Sequence, residues 1–385
     1  MSKKSLRIAM IGQKGIPAVY GGVERHVEEL ASRLVAFGHD VSVYVRPYYM
    51  EENAYGKNTY KGITLKRVPT VHSKHLDAIV HCFLSSLNSL AQRYDIIHYH
   101  AIGPATVSWI PRLCGSNVIC TVHGLDWQRK KWNRFASMYL RLGQWASYRL
   151  PDRTITVSRT LKEYYESLYK GEVHYIPNGV NIPPDAPADI IERKYGLSTG
   201  SYVVFISRLV PEKGCHYLID AFKNVITDKK LVIVGGSSHS DDYVALLHEK
   251  GKDDSRLIFT GNTSGEELAE LFWNAYLFVL PSELEGLPIV ALEALSFGKC
   301  LLASDIPENC EVVQPYGKTK DSETFGYTFR SEDSEDLRNQ LQYLIDTPNA
   351  VVDMASKSRK YVREMYNWDM IADLTQSLYL KVVSG

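Results

Sequence analysis

The chain has 385 residues, 45% hydrophobic and 23% charged, with 44 basic and 44 acidic side chains and a formal net charge of zero. That length is long for one core and predicts two domains of ordinary soluble composition. No apolar run approaches the ~18 residues of a membrane span, and the amino terminus leads into a short strand rather than a signal peptide. The six cysteines show no C-x-x-C spacing and read as reduced, packed thiols of a cytoplasmic protein. Charge is split: residues 1–190 hold 24 Lys and Arg against 15 Asp and Glu, a balance of +9, and the remainder carries −9. The basic half is expected to face something anionic.

Residues 6–11 read as a buried parallel strand, followed by a glycine-bearing loop (12–22), an amphipathic helix over 23–37 and a second strand at 41–45. Strand, loop, helix, strand is a βαβ unit of the doubly wound type. The loop is neither G-x-G-x-x-G nor a P-loop, yet Gly21-Gly22 before a helix lets backbone approach a ligand closely; a plain tight turn is the alternative. Further strands are expected at 63–68, 95–99 and 118–122. His98 and His100 form an H-x-H pair with no third ligand near in sequence, so no metal role is assigned to them. His123, Gly124 and Asp126 close their strand with groups suited to polar contacts with a sugar.

Residues 127–149 hold Arg129, Lys130, Lys131, Arg134, Arg141 and Arg149 among six aromatic residues and no acid. Cations interleaved with aromatics suit an anionic membrane surface, with Trp127, Arg129, Lys130, Lys131, Trp132 and Arg134 as contacts. They also suit single-stranded nucleic acid, and a core-facing helix with a solvated basic side is the plainer alternative.

The proline-dense segment 176–187 reads as the linker, which places domains at 1–180 and 181–365 and a C-terminal helix at 366–385 packing back across the junction. A strand at 202–206 delivers Arg208 and Lys213, five apart, before Gly214 and a helix over 215–222; such a pair suits a diphosphate. Strands at 231–234 and 257–259 follow, the latter leading to Asn262. The strand 277–280 enters a turn carrying Glu283, Glu285 and Gly286, with Pro288 expected as the first residue of a helix stopped by Gly298. Glu285 and Glu293 thus flank amides at a helix start, where N–H groups bind an anion and carboxylates hold hydroxyls.

Together these residues resemble the retaining, GT-B-fold glycosyltransferases of family four. Arg208 with Lys213-Gly214 matches the family's Arg-x4-Lys-Gly element, and Glu285 through Glu293 its E-x7-E element. Gly21-Gly22, His123 and Pro177-Asn178-Gly179 fall in the family's order, and the likeness spans essentially the whole chain. Gly15-Ile16-Pro17 with Tyr20-Gly21-Gly22 is similar to a branch used in bacterial surface-polysaccharide assembly, which includes rhamnosyltransferases. The resemblance implies a GT-B architecture, two Rossmann-like doubly wound domains facing a cleft, and a nucleoside-diphosphate sugar as donor with neither cofactor nor metal. D-x-D is absent, in keeping with that. It implies that Arg208 and Lys213 neutralise the donor diphosphate, that Glu293 holds the ribose and Glu285 the transferred sugar. It further places Gly286, Leu287 and Pro288 at the phosphates, Gly21 and Gly22 near the diphosphate and acceptor, Asn262 near the base, and His123 near the donor sugar. Asp126 and Asn178 fall in the acceptor and sugar vicinity. The expected acceptor is a lipid-linked saccharide, and the expected place is the inner face of the cell membrane.

Three other classes remain at this stage. A glycosidase would use Glu285 and Glu293 as its carboxyl pair but has no need of Arg208 and Lys213. A nucleotide-sugar epimerase can share the architecture. A nucleic-acid-binding protein would work through residues 127–149.

Overall fold

Short runs rich in Val, Ile and Leu, bounded by glycine and polar turns, form strands whose two faces are both covered, as parallel pairing requires. The structure is a computed structural model and describes residues 5–19, 21–52, 56–71, 73, 76–129, 132–238, 240–314 and 324–385. It divides into one compact unit of Met1–Gly179 with Trp368–Gly385 and another of Val180–Asn367.

The first unit holds β1 (Arg7–Ile11), β2 (Asp40–Val45), β3 (Thr59–Tyr60), β4 (Ile63–Arg67), β5 (Ile96–His100), β6 (Val118–Val122), β7 (Arg153–Thr156) and β8 (His174–Tyr175). Their order is β3-β4-β2-β1-β5-β6-β7-β8, parallel except for the β3–β4 pair. Alternation along β1 sends Ile8 and Met10 to one core and Ala9 and Ile11 to the other. The first of these cores also takes Val27, Leu30 and Leu34 from the helix Gly22–Ala36, and Trp368, Ile371 and Tyr379 from the helix Trp368–Ser384. That last helix belongs to the first unit although it ends the chain. Its polar groups are tied in as well: His98 Nδ1 lies 2.6 Å from the Tyr379 hydroxyl and His39 Nε2 lies 2.8 Å from Gln376 Oε1.

The second unit holds β9 (Tyr202–Ile206), β10 (Lys230–Val234), β11 (Leu257–Gly261), β12 (Leu277–Leu280), β13 (Cys300–Ser304) and β14 (Tyr327–Phe329). Their order is β11-β10-β9-β12-β13-β14, all parallel. Two parallel-sheet α/β domains are thus what the chain adopts. In each sheet the chain leaves its first strand in both directions. The reversal falls between β1 and β5 in one unit and between β9 and β12 in the other. In such sheets ligands bind outside the carboxyl ends of the strands at that switch point.

Candidate active site

In the second unit the two sequence elements that flank the switch point are joined to each other. Arg208 follows β9 and is half-buried. The backbone beside it is met closely by Gly235, whose φ is +139°, and a Cβ at 235 would fall 1.8 Å from the Ser207 carbonyl oxygen. Lys213 ends a short 3-10 turn, Pro211–Lys213, and Gly214 follows at φ +68°. A Cβ on Gly214 would fall 1.8 Å from the carbonyl oxygen of Pro281, so only glycine lets this turn rest against the segment after β12. The Glu283 N–H donates to the Glu212 carbonyl at 2.9 Å. Above this backbone contact Lys213 Nζ donates to Glu285 Oε1 at 2.5 Å, with 12% and 8% of the two side chains exposed. A cation and an anion so shielded from water attract far more strongly than a surface pair, and each holds the other's rotamer.

Gly286 and Leu287 then lead to the helix Ile289–Ser296, which carries Glu293 on its second turn. Pro288 is the cap of this helix, not its first residue: its ψ of 104° is extended, and its carbonyl accepts from the Ala291 and Leu292 N–H groups. A proline at the cap still fits, since its missing N–H lies outside the helical ladder. The helix starts after the carboxyl end of β12, beside the switch point, and a helix start favours an anion. Asn262, expected near a base, follows β11, is exposed, and lies against Gly236, where a Cβ would come 2.7 Å from its Nδ2.

In the first unit Gly21 caps the helix Gly22–Ala36 at φ +106°, and a Cβ there would strike the Glu24 carboxylate. Glu24 and Glu28 accept from the Lys14 and Ala18 backbone N–H groups at 3.0 and 2.6 Å, which ties the preceding loop down onto the helix. Tyr20 lies outside the described residues. His26, one turn in, meets Asn178 Oδ1 through Nδ1 at 2.9 Å. His100 ends β5 and His123 follows β6; His100 Nδ1 lies 3.3 Å from His123 Nε2. Burial holds the imidazoles of His26, His98, His100 and His123 below their usual range, His26 at about 4 and His98 at about 3, so all four are neutral at pH 7. Asp126 is half-buried and accepts from Arg129 Nε at 2.9 Å.

Two family models match successive stretches of this chain: Glycosyltransferase Family 4 over residues 20–182 and Glycosyl transferases group 1 over residues 188–363. The chain belongs to the group 1, family 4 glycosyltransferases. This glycosyltransferase is 28% identical to the Escherichia coli UDP-Gal:alpha-D-GlcNAc-diphosphoundecaprenol alpha-1,3-galactosyltransferase, over 76% of each chain. It is 25% identical to the Mycobacterium tuberculosis GDP-mannose-dependent alpha-(1-6)-phosphatidylinositol monomannoside mannosyltransferase, over 92% of this chain and 94% of that one. It shares its fold with Anabaena Alr3699/HepE, solved with UDP and glucose, at a TM-score of 0.78 and 18% identity, over 98% of this chain and 100% of that one.

Sequence reading passed over a further acid at the switch-point end of the second unit. Glu308 opens the helix Pro307–Val313 after β13, and burial, with the Glu285 and Glu311 charges adding to it, pushes its carboxyl up to about 7. The available signal was Pro307-Glu308 directly behind an apolar strand. The basic and aromatic run is also placed differently from a simple contact strip. Trp127 donates its indole N–H to Gln144 Oε1 at 2.7 Å and carries the Arg141 guanidinium 3.9 Å above its ring. Arg129 is engaged with Asp126, Trp132 is half-buried, and Arg134 is exposed. Lys130 and Lys131 lie outside the described residues. The exposed apolar side chains belong instead to the helix Arg134–Arg149: Phe135 (79%), Met138, Leu142 and Trp145.

Proposed function

We propose that this glycosyltransferase moves a hexose, or a deoxyhexose such as rhamnose, from a nucleoside-diphosphate sugar to a hydroxyl of a lipid-linked glycan in cell-surface polysaccharide assembly. Configuration is retained and no metal takes part in the transfer. The observation that carries this reading is the buried Lys213–Glu285 pair, set at the switch point beside the start of the helix Ile289–Ser296. Lys213 donates to Glu285, and that carboxylate directs its charge. The donor diphosphate is met by Lys213, the Arg208 guanidinium and the amides at the helix start. Glu293 holds ribose hydroxyls, and Glu285 accepts from a hydroxyl of the sugar, so one acid orients both the cation and the group being transferred. In this reading Asn262 serves the base, and His123, Asp126, Asn178, Gly21 and Gly22 serve the sugar and acceptor.

In the reaction the bond from the anomeric carbon to the phosphate oxygen breaks and one to the acceptor oxygen forms on the same face. The acceptor proton passes to the departing phosphate oxygen. Negative charge grows on that leaving group, and fixed cations stabilise it without reorganisation. A UDP-sugar and a lipid-linked acceptor are supported by the relatives' names, which specify UDP-Gal or GDP-mannose donors and diphosphoundecaprenol or phosphatidylinositol acceptors, and by the UDP and glucose held by HepE. Such an acceptor lies in a membrane, so the enzyme works at its inner, cytoplasmic face through the apolar side of the helix Arg134–Arg149.

The test is turnover with a panel of nucleotide sugars in excess chelator. Arg208→Ala and Lys213→Ala each lower turnover about 10²–10³-fold, some 2.7–4 kcal/mol. The correct donor at 100 times its dissociation constant adds about 2.7 kcal/mol of stability. Near-native turnover in both variants, or activity abolished by chelator, overturns the reading.

A further inference from the structure

Three histidines far apart in the chain converge in the first unit, and no sequence element announces them as a group. His26 lies on the helix Gly22–Ala36, His100 at the end of β5 and His123 in the loop after β6. One ring nitrogen of each lies within 4.8 Å of the others. His26 and His100 are buried, and His123 is partly open to solvent, which leaves a way in.

The hydrogen-bond partners settle which atoms are on offer. The amide oxygen of Asn178 can only accept, so His26 carries its proton on Nδ1 and presents the Nε2 lone pair. A carbonyl-type oxygen that fixes the tautomer of an imidazole in this way is the usual outer support of a metal-binding histidine. His100 Nδ1 and His123 Nε2 face each other at 3.3 Å. Two imidazoles ligating one tetrahedral zinc ion at about 2.0–2.1 Å stand about 3.3–3.4 Å apart. This gap fits a shared cation as well as the hydrogen bond made without one, and the three ligand atoms together lie within 4.8 Å. Imidazole suits zinc, cobalt, nickel and copper, and three ligands leave the fourth position open.

We propose that His26, His100 and His123 form a binding site for a divalent transition-metal ion of the zinc type, with Asn178 orienting His26. The sugar transfer described above needs no metal. Because that reading also sets His123 toward the sugar, the site is tested by metal binding alone, with no donor present, so that either conclusion stands or falls by itself.

The full-length protein, stripped with chelator and dialysed, is titrated with Co²⁺ and then with Zn²⁺. One equivalent of Co²⁺ per chain produces the strong visible bands of a four-coordinate ion, and one equivalent of Zn²⁺ removes them. His100→Gln and His123→Asn each abolish the bands, with His123→Asn, at a partly open position, guarding against loss of fold in the buried variant. Asn178→Ala weakens binding about 10–100-fold while retaining the bands. Absence of the bands in the parent protein, or bands unchanged in both histidine variants, overturns the site and leaves His100 and His123 as a hydrogen-bonded pair.

Discussion

Glu308 shows how one residue couples the candidate site to pH. Its carboxyl sits at about 7 in the folded chain against an ordinary value of 4.5, because burial and then the neighbouring Glu285 and Glu311 charges oppose its ionisation. The folded state therefore holds the proton more tightly than the unfolded chain does. Its contribution is fully present below pH 4.5 and is lost as pH rises through about 7. A displacement of about 2.5 units corresponds to about 3 kcal/mol. Glu308→Gln keeps the shape and removes the charge, so the variant's second unit is expected to be more stable than the parent's by about that amount at pH 8. At pH 4.5 the two are expected to be equal. Denaturant unfolding at the two pH values measures this, and equal stability at pH 8 contradicts it. His81 in the first unit runs the other way. Burial, with Arg46 adding, holds it at about 4, so its contribution is present above 6.5 and falls away as pH drops toward 4. His81→Leu is expected to flatten the acid limb of the first unit's unfolding, and a parent-like slope in the variant excludes it as the cause.

At the scale of elements, the helix Arg134–Arg149 has two faces that the sequence alone does not separate. Gly143 turns inward, where a Cβ would come 2.4 Å from the Ile102 carbonyl oxygen, and Leu140, Gln144 and Ser147 are buried on the same side. Phe135, Met138, Leu142 and Trp145 recur at spacings of 3, 4 and 3 on the opposite side, flanked by exposed Arg134, Arg141 and Arg149. Trp109 and Leu113 on the helix Trp109–Leu113 and Phe83 and Leu87 on the helix Asp77–Leu90 add further exposed apolar surface. Large apolar side chains left in water beside cations fit an anionic bilayer, where each basic residue contributes about 1 kcal/mol. Replacing Arg134, Arg141 and Arg149 together by Gln is expected to weaken flotation with anionic vesicles about 100-fold, and replacing the four apolar residues by Ser to abolish it. Flotation that survives both sets of changes removes this face from consideration. The run was legible as an unusual composition. Its outward residues were not, because Gln144 and Asp126 draw Trp127 and Arg129 into internal contacts that only the fold creates. The strands were far more legible: 118–122, 202–206 and 277–280 coincide with β6, β9 and β12, since buried parallel strands declare themselves as unbroken apolar runs. Arg208, Lys213, Glu285 and Glu293 were singled out by spacing, but the pairing of Lys213 with Glu285 spans 72 residues and has no local signature. The same holds for His26, His100 and His123, whose meeting depends on strand order. Glu308 was missed because its raised pKa is chiefly a product of burial, which the fold creates.

For the whole molecule, the decisive feature is that one unit is continuous and the other is closed by the end of the chain. Val180–Asn367 is a single stretch with its own sheet and core, in which Val203, Phe205, Leu231, Leu277 and Leu302 lie fully buried. The first unit is incomplete without the helix Trp368–Ser384, which buries Trp368, Ile371 and Tyr379 against β1 and the helix Gly22–Ala36 and bonds to His98 and His39. Removing large core side chains costs about 2–5 kcal/mol each, and a domain holds only about 5–15 kcal/mol in total. Deleting residues 368–385 is therefore expected to abolish the first unit's calorimetric transition and leave the second's in place. An excised 180–367 fragment is expected to melt cooperatively by itself. Because the proposed donor-binding residues Arg208, Lys213, Glu285 and Glu293 all lie within it, the fragment is also expected to bind the nucleoside diphosphate, read as a rise in its melting temperature. A truncated chain that keeps both transitions means the final helix is an accessory to the first unit, and a fragment that folds without answering to any nucleoside diphosphate places donor recognition partly in the first unit.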